Sequence, residues 1–318
     1  MPEENVTLRA KWSKIELAKS MDGVVSEQGD PIMAGSDWWT DDYDKTSVTS
    51  IEFKTDTDIP DTAIYSWDAS LAGDRSVIAY LEDDGSGNET YKVTIGGRGG
   101  VIASNGNALF GSLNDPFSNV ISINLINLDT SQVKDMSSMF REAHNLTDLE
   151  LGNFNTSNAT NMSFMFSNCH SLTTIDTSGF DTSKVWDVQY MFYNCQSLVD
   201  LDVSHFDTSL IINMSHMFQQ CYNLEKLDVS SFQTDNVTNM YVMFLDCRSL
   251  TELDVSNFKT SNVRDMTSMF QGCNKITYLD VSGFDTSSVT TMQSMFHGCS
   301  NLLELNVSSC NTSKVTSM

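Results

Sequence analysis

From residue 120 onward the apolar positions recur with a fixed step of 26 residues. The dipeptide Met-Phe begins at Met139, Met165, Met191, Met217, Met243, Met269 and Met295. Cysteines keep the same step at Cys169, Cys195, Cys221, Cys247, Cys273 and Cys299. One apolar column runs Leu149, Ile175, Leu201, Leu227, Leu253, Leu279, Leu305, and another runs from Phe154 to Phe284. A weaker copy places Val120, Ile123, Leu125 and Leu128 in the matching slots. Each repeat joins two periods. Leu253 and Val255 alternate with Glu252, Asp254 and Ser256, which predicts a short strand. Phe258 closes a turn. Val263, Met266, Met269, Phe270 and Cys273 then follow at helical spacing, with Thr260 and Ser261 placed to cap the helix they predict. No single unit of this kind buries its apolar side, but a stack does. The expected fold is therefore α/β: a leucine-rich-repeat solenoid of strand–turn–helix units. It has a parallel sheet on one face and short helices on the other. It occupies residues 101–318 as seven to eight repeats, the last incomplete.

Residues 1–100 read as a mainly β cap for the solenoid's open end. Ser76–Glu82 and Thr90–Ile95 flank Asp-Asp-Gly-Ser-Gly-Asn and predict a hairpin. Ile51–Phe53 and Ile64–Trp67 are expected to join it, the alternative being an independent binding domain. Val6–Met21 fits either a helix or a strand. Gly96-Gly97-Arg98-Gly99-Gly100 lacks the Lys-Ser/Thr ending and following helix of a phosphate loop, so it reads as a turn.

The phrase LTELDVSNFKTSNVRDMTSMFQGCNKI, from Leu250 to Ile276, recurs in close variants and is similar to the BspA-like leucine-rich-repeat surface proteins of bacteria. The resemblance extends over roughly residues 60–318. It includes the upstream segment from Tyr65 to Leu113. It implies export, display at the bacterial cell surface, and adhesion to extracellular protein or glycan ligands.

Composition adds a strong charge. Among 318 residues, 42 acidic side chains face 18 basic ones, a net charge of −24. That excludes a phosphate-driven nucleic-acid binder and disfavours anionic lipid. No apolar run reaches the length of a membrane span, and the chain opens without a signal-like segment.

The cysteine column also accepts Ala143 and Phe117, so it reads as an apolar packing site with free thiols rather than disulfides or zinc ligands. Glu150, Asp176, Asp202, Asp228, Asp254 and Asp280 form a row at one strand position. Spaced by about 4.8 Å, they read either as a cation-binding surface suited to calcium or as a solvated row. No other cofactor is implied. A uniform row is unlike the unequal acid pair of a glycosidase, and the five histidines share no column of chemical sense. The chain is expected to be non-catalytic.

Outward helix positions that turn apolar in the middle repeats mark a candidate partner surface: Phe164, Trp186, Tyr190, Tyr193, Ile212, Tyr241, Val242 and Leu245. Trp186, Tyr190 and Tyr193 would share one helix face. The alternative is that they fill gaps between helices. The sequence stops at Met318 within a repeat, which predicts an exposed apolar end able to pair with another copy. The expected function is adhesion, with a structural spacer as the competing reading.

Overall fold

The structure is a computed structural model that describes residues 38–40, 42–111 and 116–318, together with the backbone of β1 (Asp30–Ile32). The segment Val6–Met21 lies outside the described residues. The following strands are β2 (Val48–Lys54), β3 (Tyr65–Asp68), β4 (Val77–Asp83), β5 (Tyr91–Gly97), β6 (Val101–Ala103), β7 (Ser122–Asn124), β8 (Leu128–Asp129), β9 (Asp148–Glu150), β10 (Tyr278–Asp280) and β11 (Glu304–Asn306). One sheet has the order β3-β4-β5-β2-β7-β9. Strands β4 and β5 make the expected antiparallel hairpin. Strand β2 is parallel to β5 on one side and to β7 on the other, with Ile51 opposite Ile123. Strand β7 pairs with β9 at the 26-residue step, Ile123 opposite Leu149. The cap therefore supplies a strand in the place of a preceding repeat, and cap and repeats share one sheet.

Aromatic side chains close this end of the core. Trp38 stacks on Phe117 at 5.6 Å and on Trp67 at 6.4 Å, and its indole N–H donates to the Leu109 carbonyl at 3.0 Å. Phe110 lies 5.7 Å from Phe140, the first ring of the repeat column.

The repeats correct the expected fold class. Among the described residues there is no α-helix, and Lys45–Ser47 is a single 3-10 turn. The unit is thus not strand–turn–helix, and the expected α/β solenoid with helices on one face is not the fold. Where a helix was expected, overlapping turns run from Met266 to Cys273. The N–H groups of Met266, Ser268, Phe270 and Gly272 donate to carbonyls of the next coil, at Thr291, Gln293, Met295 and His297. Those of Met269, Gln271 and Cys273 donate three residues back. The Thr267 N–H goes to the Asp265 carboxylate at 2.8 Å. Every backbone donor in the segment is satisfied, none by the i→i−4 bond of an α-helix. Ser268 and Gly272 have φ of 53° and 74°, which no right-handed helix accommodates. The same pair of positions is left-handed in each preceding coil back to Ser138 and Glu142. Among the described residues no helix is long and apolar enough to cross a membrane.

The coils are joined through their interiors. Asp135, Asn161, Asp187, Asn213, Asn239, Asp265, Thr291 and Ser317 pair successively as parallel bridges. Phe166, Phe192, Phe218, Phe244, Phe270 and Phe296 stack in register at 5.7–5.8 Å. Thr260 and its counterparts at the 26-residue step, expected to cap helices, instead clamp corners. Thr208 Oγ1 donates to the Gln233 carbonyl at 3.0 Å and accepts the Gln233 N–H at 2.7 Å. Thr234 does the same with Lys259. The cysteines from Cys169 to Cys310 are free. Cys221 Sγ donates to the Phe192 carbonyl at 3.1 Å, and burial pushes its thiol up to about 12.

Candidate functional site

Two surfaces differ from the regular coil. The first is the face of the strand column. Leu253 and Val255 are buried while Thr251, Glu252, Asp254 and Ser256 are exposed, so burial alternates as predicted. The expected short strand is absent here: between β9 and β10 this face is joined by single parallel bridges such as Thr174–Asp200 and Asp200–Lys226. The acid row lies on this face: Glu150, Asp176, Asp202, Asp228 and Asp254 are exposed and Asp280 is half-buried. Each aspartate folds back on its own chain. The Ser204 N–H donates to Asp202 at 3.0 Å, and Ser178, Ser230, Ser256 and Ser282 repeat the bond. Hydrogen bonds from the serine hydroxyl and backbone N–H hold Asp176, Asp202, Asp228 and Asp280 below the usual carboxylate range. Among the described residues no three His, Cys, Asp or Glu side chains group to hold a metal ion. The row presents one carboxylate per coil.

Part of this face is a groove of about 740 Å³, lined by Lys226, Asp228, Glu252, Asp254, Tyr278 and Asp280 with Leu227, Leu253 and Val255 among its other walls. Tyr278 is 57% exposed.

The second surface involves the apolar departures, which the structure divides. With no helix, Trp186, Tyr190 and Tyr193 do not share a helix face. Tyr190 and Tyr193 meet edge to face at 5.4 Å, but Trp186 makes no ring contact with them. Phe164 stacks on Tyr190 at 4.5 Å, and Tyr190 on His216 at 3.8 Å. Arg141 covers the ladder's end, 4.3 Å from the Phe164 centroid, and Tyr241 meets His216 at 5.0 Å. These half-buried rings cover one another's faces. His216, missed by the apolar pattern, is integral to the ladder. Burial lowers its pKa, and its Nδ1 bonds Gln219. Val242 is buried and Leu245 half-buried, so neither offers an open surface.

Trp186 and Ile212 are the open pair, 48% and 47% exposed. Ile212 N–H donates to the Trp186 carbonyl at 3.1 Å, which sets the two residues side by side on successive coils. Leu210 is 50% exposed, and the intervening Ile211 is buried. Nothing in the apolar pattern distinguished Leu210 beforehand, although its alternation with Ile211 was available.

A polar ladder adjoins the aromatic one. Glu142 accepts from Asn168 at 2.7 Å and lies 2.9 Å from His144 Nε2. Asn194 donates to Asn168 at 2.7 Å, and His144 stacks on His170 at 4.6 Å. Its members satisfy one another. At the last coil, Leu303 is 82% exposed, and Phe284, Met292, Met295, Phe296, Cys310 and Met318 line a cavity of about 360 Å³.

No curated protein and no solved structure matches the chain. Three overlapping segments, residues 111–202, 198–278 and 265–318, match the family described as Mycoplasma protein of unknown function, DUF285. Together they span well over half of the chain, which belongs to that family.

Proposed function

We propose that this chain is a non-catalytic binding protein working at a bacterial cell surface, and that Trp186, Leu210 and Ile212 contact its extracellular protein or glycan ligand. One observation carries the reading. In other coils the column that holds Trp186 and Ile212 contains Lys134 and Arg264 and the threonines Thr160, Thr238 and Thr290. Those hydroxyls donate to carbonyls of the preceding coil at 3.2, 3.3 and 3.1 Å. Trp and Ile forgo that bond, worth about 0.5–1 kcal/mol. They also expose apolar surface. The fold gains nothing visible from the exchange, whereas a contiguous exposed apolar patch serves association. The resemblance to BspA-like proteins supports the place of action.

The test is an array of matrix proteins, mucins and glycans, probed with the native chain and with Trp186→Thr/Ile212→Thr. Both threonines restore the column's usual residue, so the variant should melt at or above the native temperature and lose its array signal. Unchanged binding, or a lowered melting temperature, overturns the assignment. A spacer that displays another domain is the second reading, favoured by the dense coil-to-coil bonding. It predicts no saturable signal for either chain.

A further inference from the structure

The strand-face groove differs in chemistry from the Trp186 patch. Four carboxylates, Asp228, Glu252, Asp254 and Asp280, line it against one ammonium, Lys226. The described ion pairs are Lys54–Asp56, Arg141–Glu142, His144–Glu142 and Arg248–Asp246, and none reaches the groove. The groove therefore carries three more carboxylates than ammonium groups, and none of its acids forms an ion pair among the described residues. Tyr278, 57% exposed, stands in the same wall. The corresponding positions of other coils are Asp148, Thr174, Asp200, Lys226, Glu252 and Glu304, so this aromatic ring is a local departure. A ring beside unpaired carboxylates suits an ammonium or guanidinium group, which gains both charge pairing and cation–π contact. A concave site of one sign also focuses its field on an oppositely charged ligand.

We propose that the groove from Lys226 to Asp280 binds a lysine- and arginine-rich segment of a partner polypeptide, which lies across successive coils. Coils about 4.8 Å apart offer it a carboxylate at each step. Leu227, Leu253 and Val255 contribute apolar wall for the aliphatic stems of its side chains.

The experiment titrates the full chain with a short lysine- and arginine-rich peptide by calorimetry at low and at physiological salt. The groove variant is Asp228→Asn/Glu252→Gln/Asp254→Asn/Asp280→Asn. Asn306 already accepts the Ser308 N–H at 3.1 Å in the same column, so the asparagines keep the turns. A control neutralises four exposed acids elsewhere: Asp58→Asn/Asp61→Asn/Asp83→Asn/Glu89→Gln. The groove variant should weaken binding by about tenfold or more, equivalent to about 1.4 kcal/mol. The control should change it less than about twofold. Tyr278→Ala should weaken binding while leaving the melting temperature unchanged. Equal losses in groove and control variants would reduce the effect to net charge and overturn the proposal. No binding by the native chain at physiological salt, or displacement of the peptide by millimolar calcium with the groove acids alone responsible, would likewise overturn it.

Discussion

Replacing Thr208 with Val distinguishes an inter-coil clamp from a local cap. Thr208 is fully buried, and its hydroxyl both donates to the Gln233 carbonyl and accepts the Gln233 N–H. Valine preserves the shape and offers neither bond. Two backbone groups, 25 residues away in sequence, then lose their partner. An unmade buried hydrogen bond costs about 1–3 kcal/mol. Gln233 stands at an exposed corner, so water recovers part of each loss. The expected destabilisation is about 2–3 kcal/mol. Thr208→Ser keeps both bonds and removes one methyl, for about 1 kcal/mol. Urea unfolding gives the comparison, and amide exchange locates it. A clamp predicts faster exchange at Gln233. A cap acting on its own segment predicts the change within three residues of Thr208. If the Val variant matches the Ser variant in unfolding midpoint and leaves Gln233 protected, the clamp reasoning is wrong.

Two further outcomes follow from the interior and the aromatic ladder. Cys169, Cys195, Cys221, Cys247 and Cys273 are buried while Cys299 and Cys310 are partly accessible. A thiol-reactive dye should therefore label the latter two first in the native chain and all seven in denaturant. A denatured count below seven would contradict the free-thiol interior. Burial lowers the pKa of His216 and His170, so the folded chain favours neutral imidazoles. Their contribution is present above the unfolded value near 6.5 and is lost as pH falls below it. The melting temperature should drop between pH 7 and about 5.5, and His216→Phe should flatten part of that slope. Phe164 holds the same left-handed slot at φ 59°, so the ring fits. A native chain with no slope in that interval would refute the assignment.

The chain's periodicity revealed where each repeat is buried but not how its backbone runs. Val263, Met266, Met269, Phe270 and Cys273 are all fully buried, as their spacing predicts. The left-handed positions recur every four residues, at Ser268 and Gly272. The apolar spacing fits one face of a 3.6-residue helix, so spacing by itself did not reveal the left-handed positions. A discriminating signal was present nonetheless. The column Glu142, Asn168, Asn194, Gln220, Asp246, Gly272, Gly298 is rich in the residues that tolerate a positive φ. It sits inside the supposed helix. The threonine clamp gave no local sign, because its partner is 25 residues distant and only stacking brings the two together. The acid row was legible because strand alternation fixes its face. The groove was not, because it depends on how neighbouring coils meet.

The interior bonding explains why binding chemistry is to be sought in departures from the repeat. Phe, Cys and Thr columns join each coil to the next without using the outward positions of the strand face or the corner before each bridge. Those positions are free to vary at little cost to the stack. The ring ladder from Phe164 to Tyr241 is the instructive contrast. It is the most conspicuous aromatic departure, yet Arg141 and its own members cover the ring faces. A ligand meets mostly edges there. Trp186, Leu210 and Ile212 give up a hydrogen-bonding or polar slot and stay open to solvent, and Tyr278 stays open in a groove where four carboxylates face one ammonium. Exposure, rather than aromatic content, is what separates these two surfaces from the ladder.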